Sequence, residues 1–330
     1  MPPRLSGDSR DATRDSLRDM SGDSLRDAPG AVYLAPRGFE AELREELAHS
    51  GKTLLFVRDR LMGTAEPPSR AVWAENIWLA PRLLPFASIN DGARRLKALQ
   101  RNWALHSTTD HRRAALIEAA LPKVSARPLV FGAPAPAAPL GSWTLWSRDR
   151  ILASPACSSP FPNGEVRFVE DRQGPPNRAY LKLWEFFTRT GRRPGPGDLC
   201  LDLGSSPGGW SWVLAGLGAR VFSVDKAPLD PSVAARPLVN HCLGSAFAVG
   251  PDLAGGAAWL FSDVACYPNR LYSFVRRWID SGCNTSIVCT IKLAGQTNFS
   301  DIDRFLAIEQ SHVIHLYANK HELTWFRLVN

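Results

Sequence analysis

Polar and apolar positions divide the chain into three stretches. Residues 1–29 repeat GDSLRD and near-copies of it, and they hold five arginines, six aspartates and few apolar side chains. Such a mixed-charge tract cannot bury enough surface to offset its ordering entropy, so a disordered tail is expected. From Ala31 the run AVYLA predicts a strand, and GFEAELREELAHSG sets Phe39, Leu43 and Leu47 at helical spacing ahead of Gly51. A basic helical stretch is predicted over 91–123, followed by a Pro/Ala linker, FGAPAPAAPLG. Beyond Pro160 the order becomes regular. A helix over Arg178–Thr190 precedes apolar strands near 199–203, 220–225, 258–263 and 285–293, with helical segments between them, which is the βαβ alternation of a parallel sheet. The last two apolar runs, HVIHLYA and ELTWFRLV, are joined by too few residues for a crossover helix and should pair antiparallel at the sheet edge. The expected fold is α/β: a Rossmann-like sheet over 165–330 with an antiparallel last strand, preceded by a smaller α+β region over 30–150.

Charge changes this picture more than composition does. The 330 residues carry a net charge of +7 with a pI near 9.3, and without the tail the remainder carries +8. A basic balance points to an anionic partner and says nothing about fold. Arg94, Arg95, Lys97 and Arg101 are candidates to grip phosphates, against the plainer alternative of a solvated helix face. Eleven tryptophans offer stacking surface for exposed bases, although burial is their commoner use. Six cysteines without a Cys-x-x-Cys pair read as buried thiols of a reducing compartment. Alternation in HVIHLYA puts His312 and His315 on opposite strand faces, so no metal site is expected. No stretch approaches the ~18 apolar residues of a membrane span, and a soluble, cytoplasmic protein is expected.

The segment CLDLGSSPGGWSWVLAGLGARVFSVD (200–225) carries the chemistry. Gly204-Ser205-Ser206-Pro207-Gly208 fits the serine-hydrolase elbow G-x-S-x-G, but the residue after the nucleophile must donate its N–H to the oxyanion, and Pro207 has none. Gly51-Lys52-Thr53 ends like a phosphate-binding P-loop, yet that motif needs glycine where Glu46 stands. A nucleoside site is the better reading of the glycine turn. An apolar strand delivers Asp202 to it, Gly204 permits the bend, and Gly208 and Gly209 let backbone approach a ligand at the helix start. Asp225 ends the next strand, positioned to accept from a ribose diol. Because G-x-G-x-x-G is absent, no pyrophosphate site is indicated, which suits S-adenosylmethionine better than a dinucleotide.

DLGSSPGGWSWVL followed by FSVD resembles the cofactor segment of the FtsJ-type ribose 2′-O-methyltransferases, whose turn reads D-L-G-x-x-P-G-G-W. The resemblance implies cofactor contacts from Asp202, Gly204, Ser205, Ser206, Pro207, Gly208, Gly209, Trp210, Asp225 and Asp263. It also implies a catalytic Lys-Asp-Lys-Glu tetrad: Lys182 in NRAYLKLWEFF, Asp263 in LFSDVA, Lys292 in IVCTIKL and Glu322 in KHELTWF. Each has a bland alternative. Lys182 shares a helix face with Arg178, Glu185 and Arg189 and alone would be a solvated lysine, whereas Lys292 ends an apolar run where another hydrophobe would be ordinary.

Within the family, APRGFEAELREEL, EVRFVEDRQGPPNRAYLKLWEFF and RRWIDSG look like the RlmM group of 23S ribosomal RNA methyltransferases, over 165–330 and more weakly over 31–50. The region between about 51 and 150 looks shorter than that group's RNA-binding region, and Ser245 stands where an acidic residue often follows the third strand. The resemblance implies ribosomal RNA as partner and Lys292 as base, its pKa lowered by the like charge of Lys182. Two rivals are a non-catalytic RNA-binding protein of the same fold and a base methyltransferase. The DVACYP that follows the fourth strand lacks an amino-methylation turn, and Cys266 is the only well-placed nucleophile for base-carbon methylation.

Overall fold

The central apolar runs after residue 198 are buried on both faces, as parallel strands between helices must be. LCLDL (β9, Leu199–Leu203), WLFS (β12, Trp259–Ser262) and SIVCTIK (β13, Ser286–Lys292) have almost no exposed position. The computed structural model describes residues 25–329, and the chain divides into two units. One comprises residues up to Ala126 with Ala137–Gly164, and the other Arg127–Pro136 with Glu165 onward. Of the expected tail, 1–24 lie outside the described residues; the Leu25 carbonyl accepts from Arg150 at 3.1 Å.

The first unit contains two four-stranded sheets. In one, β1 (Ala31–Leu34) pairs antiparallel with β3 (Leu61–Thr64) and β4 (Asn76–Trp78), while β2 (Leu54–Arg58) flanks β3. Helix α1 (Glu40–His49) presents Leu43 and Leu47 to the interior. Buried Glu46, which breaks the P-loop pattern, accepts the backbone amides of Val72 and Trp73 at 2.6 and 2.9 Å. The second sheet has the order β5 (Arg82–Pro85), β8 (Arg150–Ser154), β7 (Gly141–Ser147), β6 (Trp103–Leu105).

The single helical stretch expected over 91–123 is instead helix α2 (Ile89–Leu99), strand β6 and helix α3 (His111–Ala119). Trp103 is the reason. Its side chain is buried, and its indole donates to the Leu96 and Gln100 carbonyls at 3.1 and 3.0 Å, satisfying the end of α2 while β6 pairs with β7. On α2, Arg94 and Arg95 both pair with Asp91, as a solvated face would.

In the second unit, β9, α5 (Gly209–Gly216), β10 (Arg220–Asp225), α6 (Pro231–Ala234), β11 (Val239–Leu243), α7 (Pro251–Ala254), β12, α8 (Pro268–Asp280), β13, α9 (Phe299–Leu306), β14 (Ser311–Ile314) and β15 (Glu322–Arg327) succeed one another. The sheet order is β11-β10-β9-β12-β13-β15-β14, with β15 antiparallel to both neighbours, so the expected Rossmann-like sheet with its antiparallel hairpin is present. Helix α4 (Tyr180–Thr190) packs Tyr180, Leu183, Trp184 and Phe187 into this unit's core. The Pro/Ala stretch is not wholly a linker. Phe131 stacks on Trp184 with ring centroids 4.7 Å apart, and Leu129 bridges to Phe168, which ties 127–136 to the second unit.

All the tryptophans lie among the described residues, and ten are buried with Trp212 half-buried, so none offers an open stacking face. The six cysteines are free, but only Cys200 and Cys289 are buried; Cys242 is exposed because β11 is an edge strand. No helix among the described residues is long and apolar enough to cross a membrane.

Candidate active site

Strands β9, β10 and β12 end at one edge of the sheet, and the connections diverge between β9 and β12, where open α/β sheets form their crevice. The glycine turn lies at that edge. Gly204 has φ +85°, and a Cβ there would stand 2.7 Å from the Val264 Cβ, so only glycine fits. A Cβ on Gly209 would stand 2.2 Å from Asn177 Oδ1. Asp225 accepts from the backbone amides of Ser206 and Ala227, both at 3.0 Å, and so braces the turn from the end of β10. Ser205 lies 3.2 Å from Ser223, which lies 2.7 Å from His241 Nδ1. Ser206 Oγ donates to the Pro228 carbonyl at 2.8 Å, which leaves it without an activating base and removes the elbow reading a second time.

Two residues at the turn differ from the simplest expectation. Trp210 is buried and its Nε1 donates to the Ala179 carbonyl at 3.0 Å, so its indole ties α5 to the start of α4 instead of facing the turn. Asp202 is fully buried. One of its oxygens accepts from Ser211 at 2.6 Å, the other has no protein partner, and burial pushes its pKa up to about 7.

Four elements bring the tetrad residues together. Lys182 lies in the first turn of α4, Asp263 follows β12, Lys292 ends β13, and Glu322 opens β15 directly opposite Lys292 in the ladder. Lys182 Nζ lies 3.0 Å from Asp263 Oδ2 and 2.5 Å from Glu322 Oε1; Lys292 Nζ lies 2.5 Å from Asp263 Oδ1 and 2.6 Å from Glu322 Oε2. The result is a closed ring of alternating charge. Lys292 is its more open lysine, with 29% of the side chain exposed against 9% for Lys182.

The ring removes one bland alternative and overturns one expectation. Lys182 and Glu185 are buried, not solvated: Asp263 and Glu322 stand against Lys182, and Arg189 and the Tyr317 backbone against Glu185. The Lys292 pKa is raised, not lowered. Burial disfavours the ammonium, but Asp263 and Glu322 stand at bonding distance and outweigh it. Burial likewise opposes ionisation of Glu322, while Lys182 and Lys292 hold its pKa below the ordinary carboxylate range. Burial holds the Cys266 thiol above its ordinary value, the reverse of an activated nucleophile.

A cleft of about 930 Å³ opens beside the ring, lined by Lys182, Lys292, Glu322, Arg178, Tyr317 and Lys320 among others. Asn177, Glu185 and Tyr317 were not singled out from sequence as site residues. Asn177 carries a faint signal, as the last polar residue of GPPN before a helix; the other two carry none.

Residues 175–241 match the model of the FtsJ-like methyltransferase family. The chain is similar to proteins named ribosomal RNA large subunit methyltransferase M: 30% identical over 172 residues to that of Halorhodospira halophila (50% of each chain), and 34% identical over 159 residues to that of Alkalilimnicola ehrlichii (46% of this chain, 43% of the relative). A third, from Laribacter hongkongensis, is 32% identical over 156 residues, 44% of this chain and 43% of the relative. The chain therefore matches about half the length of these curated relatives. The glycine turn, the strand order and the family match fall on one sheet of the second unit, which is similar to the FtsJ-like methyltransferases over residues 175–241.

Proposed function

We propose that this chain transfers a methyl group from S-adenosylmethionine to a ribose 2′-hydroxyl of ribosomal RNA, of the 23S type, in the cytoplasm. The observation that carries the proposal is the ring formed by Lys182, Asp263, Lys292 and Glu322. A ribose hydroxyl is a poor nucleophile, so the enzyme must hold it in line and take its proton. Two carboxylates that share two ammonium groups fix both lysine nitrogens in place, and the more open one, Lys292, faces the cleft. Because its pKa is raised, Lys292 must lose a proton before it can accept one from the hydroxyl, so transfer should speed up as pH rises above neutral.

The residues at the turn fit the cofactor. Asp225 offers a carboxylate for the ribose diol, and the unpartnered Asp202 oxygen suits a cationic group. Bound there, S-adenosylmethionine supplies an electrophilic methyl on a positively charged sulfur. We further propose that the first unit, with exposed Arg94, Lys97 and Arg101 on and just beyond α2, adds RNA contacts.

Nucleoside mass spectrometry of ribosomal RNA from cells with and without the protein tests this function. Loss of one 2′-O-methylnucleoside is expected. Loss of a base-methylated nucleoside, or no change in any RNA, would overturn it.

A further inference from the structure

We infer that the turn Leu316–Lys320 is the cleft's platform for single-stranded RNA, with Tyr317 stacking on a nucleobase and buried Glu185 acting as the positioning residue that holds the turn. This rests on the ribose-methylation function proposed above and adds to it how the acceptor strand is seated.

Few aromatic rings are open. No tryptophan is exposed, and among the described residues the exposed Phe, Tyr and Trp side chains are Tyr267 and Tyr317. Tyr317, 44% exposed, lines the same cleft as Lys182, Lys292 and Glu322. Tyr267 does not line that cleft. Arg167, paired with Glu165, lies against the Tyr317 hydroxyl, and Arg178, paired with Glu170 at 2.8 Å, and exposed Lys320 line the same cleft. An open aromatic ring in a cleft that also holds basic side chains is how proteins hold single strands, the ring taking the base and the cations the phosphates.

The turn is fixed more firmly than a loop between antiparallel strands needs to be. The backbone amide of Tyr317 donates to Glu185 Oε2 at 2.8 Å, and the other Glu185 oxygen accepts from Arg189 Nε at 2.7 Å. Glu185 is 1% exposed, and taking a carboxylate out of water is costly unless it is paired. Here it is paired on both sides, and one of its partners is the backbone of the platform residue. The Asn319 amide donates to the Leu316 carbonyl at 2.9 Å, and the buried Asn319 side chain donates to Thr324 Oγ1 at 3.2 Å, which ties the turn to β15, the strand that Glu322 opens.

The test uses the full chain and two probes: a short, fluorescein-labelled single-stranded oligoribonucleotide of mixed sequence, and ribosomal RNA from cells lacking the protein. Tyr317→Leu should bind the oligonucleotide about tenfold more weakly, while Tyr317→Phe, which keeps the ring, stays within about twofold of wild type. In the transfer assay Tyr317→Leu should raise KM by the same factor with kcat little changed, and Glu185→Gln should raise KM several-fold. Circular dichroism and cofactor affinity should match wild type for all three, which separates seating of RNA from loss of fold. Equal affinity and KM for Tyr317→Leu and wild type would overturn the platform. A wild-type protein that binds the oligonucleotide through Tyr317 yet methylates no RNA would instead overturn the proposed function, so the two failures are distinguishable.

Discussion

The glycine turn and the tetrad both depend on buried carboxylates, and they treat them in opposite ways. At the turn, Asp202 has no cation beside it; a hydroxyl satisfies one oxygen, nothing in the protein satisfies the other, and burial lifts its pKa to about 7. In the tetrad, Glu322 is also buried, but two ammonium groups hold its pKa below the ordinary range. Burial is common to both, so counter-charge makes the difference. The turn holds a buried carboxylate with no counter-charge, whereas the tetrad is neutralised from within.

The largest effect is expected at Lys292. Lys292→Ala should lower kcat by about 10²–10⁴-fold, the usual worth of a positioned base, while cofactor affinity by calorimetry stays near wild type. Near-normal transfer would exclude it as base. In the wild type, kcat should climb from neutral pH into the alkaline range, because the raised Lys292 pKa keeps the nitrogen protonated below it. A flat profile would contradict this.

Glu322→Gln removes one of the two anions and should cost about 3 kcal/mol in chemical denaturation at neutral pH, since it leaves buried positive charge in excess. The lowered pKa of Glu322 sets the sign: its contribution is complete above the ordinary carboxylate value and is lost as pH falls through the lower, folded-state value. The gap between variant and wild type should therefore narrow in acid; a constant gap would mean the ring is not charge-coupled.

Asp202 should behave in the opposite sense. Its raised pKa means that wild-type stability is favoured below the ordinary aspartate value and falls as pH climbs from there to about 7. In cofactor-free protein Asp202→Asn should match wild type near pH 4 and exceed it at pH 8 by a few kcal/mol, on the order of 1.4 kcal/mol for each pH unit by which burial raises the carboxyl. Parallel stability curves would show that the second oxygen has found a donor. The smallest effect is expected at Asp225, where Asp225→Ala should weaken cofactor binding by about 1.5–3 kcal/mol by removing a charged acceptor.

These two sites are not equally legible in the sequence. The turn is local: Asp202, Gly204, Gly208, Gly209 and Asp225 fall within one strand–turn–helix–strand unit, and their chemistry follows from spacing alone. The tetrad is assembled by topology. Asp263, Lys292 and Glu322 can be placed at strand ends, but their union with Lys182 comes from the family resemblance. Helical periodicity groups Lys182 with Arg178, Glu185 and Arg189 as a polar face, and it cannot show that distant segments cover the middle of that face. For the same reason the roles of Glu185 and Tyr317 are invisible: their contact joins residues 132 positions apart. Strand β6 escapes detection because three residues between two helices leave no period to read.

The ring formed by Lys182, Asp263, Lys292 and Glu322 is proposed to serve methylation of a ribose hydroxyl. The most direct test supplies radiolabelled S-adenosylmethionine and deproteinised ribosomal RNA from cells lacking the protein, then digests the product in alkali. A 2′-O-methyl group removes the hydroxyl that attacks the neighbouring phosphodiester, so the label should be recovered in alkali-resistant dinucleotides with wild type and be absent with Lys292→Ala. Label confined to mononucleotides, or equal labelling by Lys292→Ala, would contradict the account.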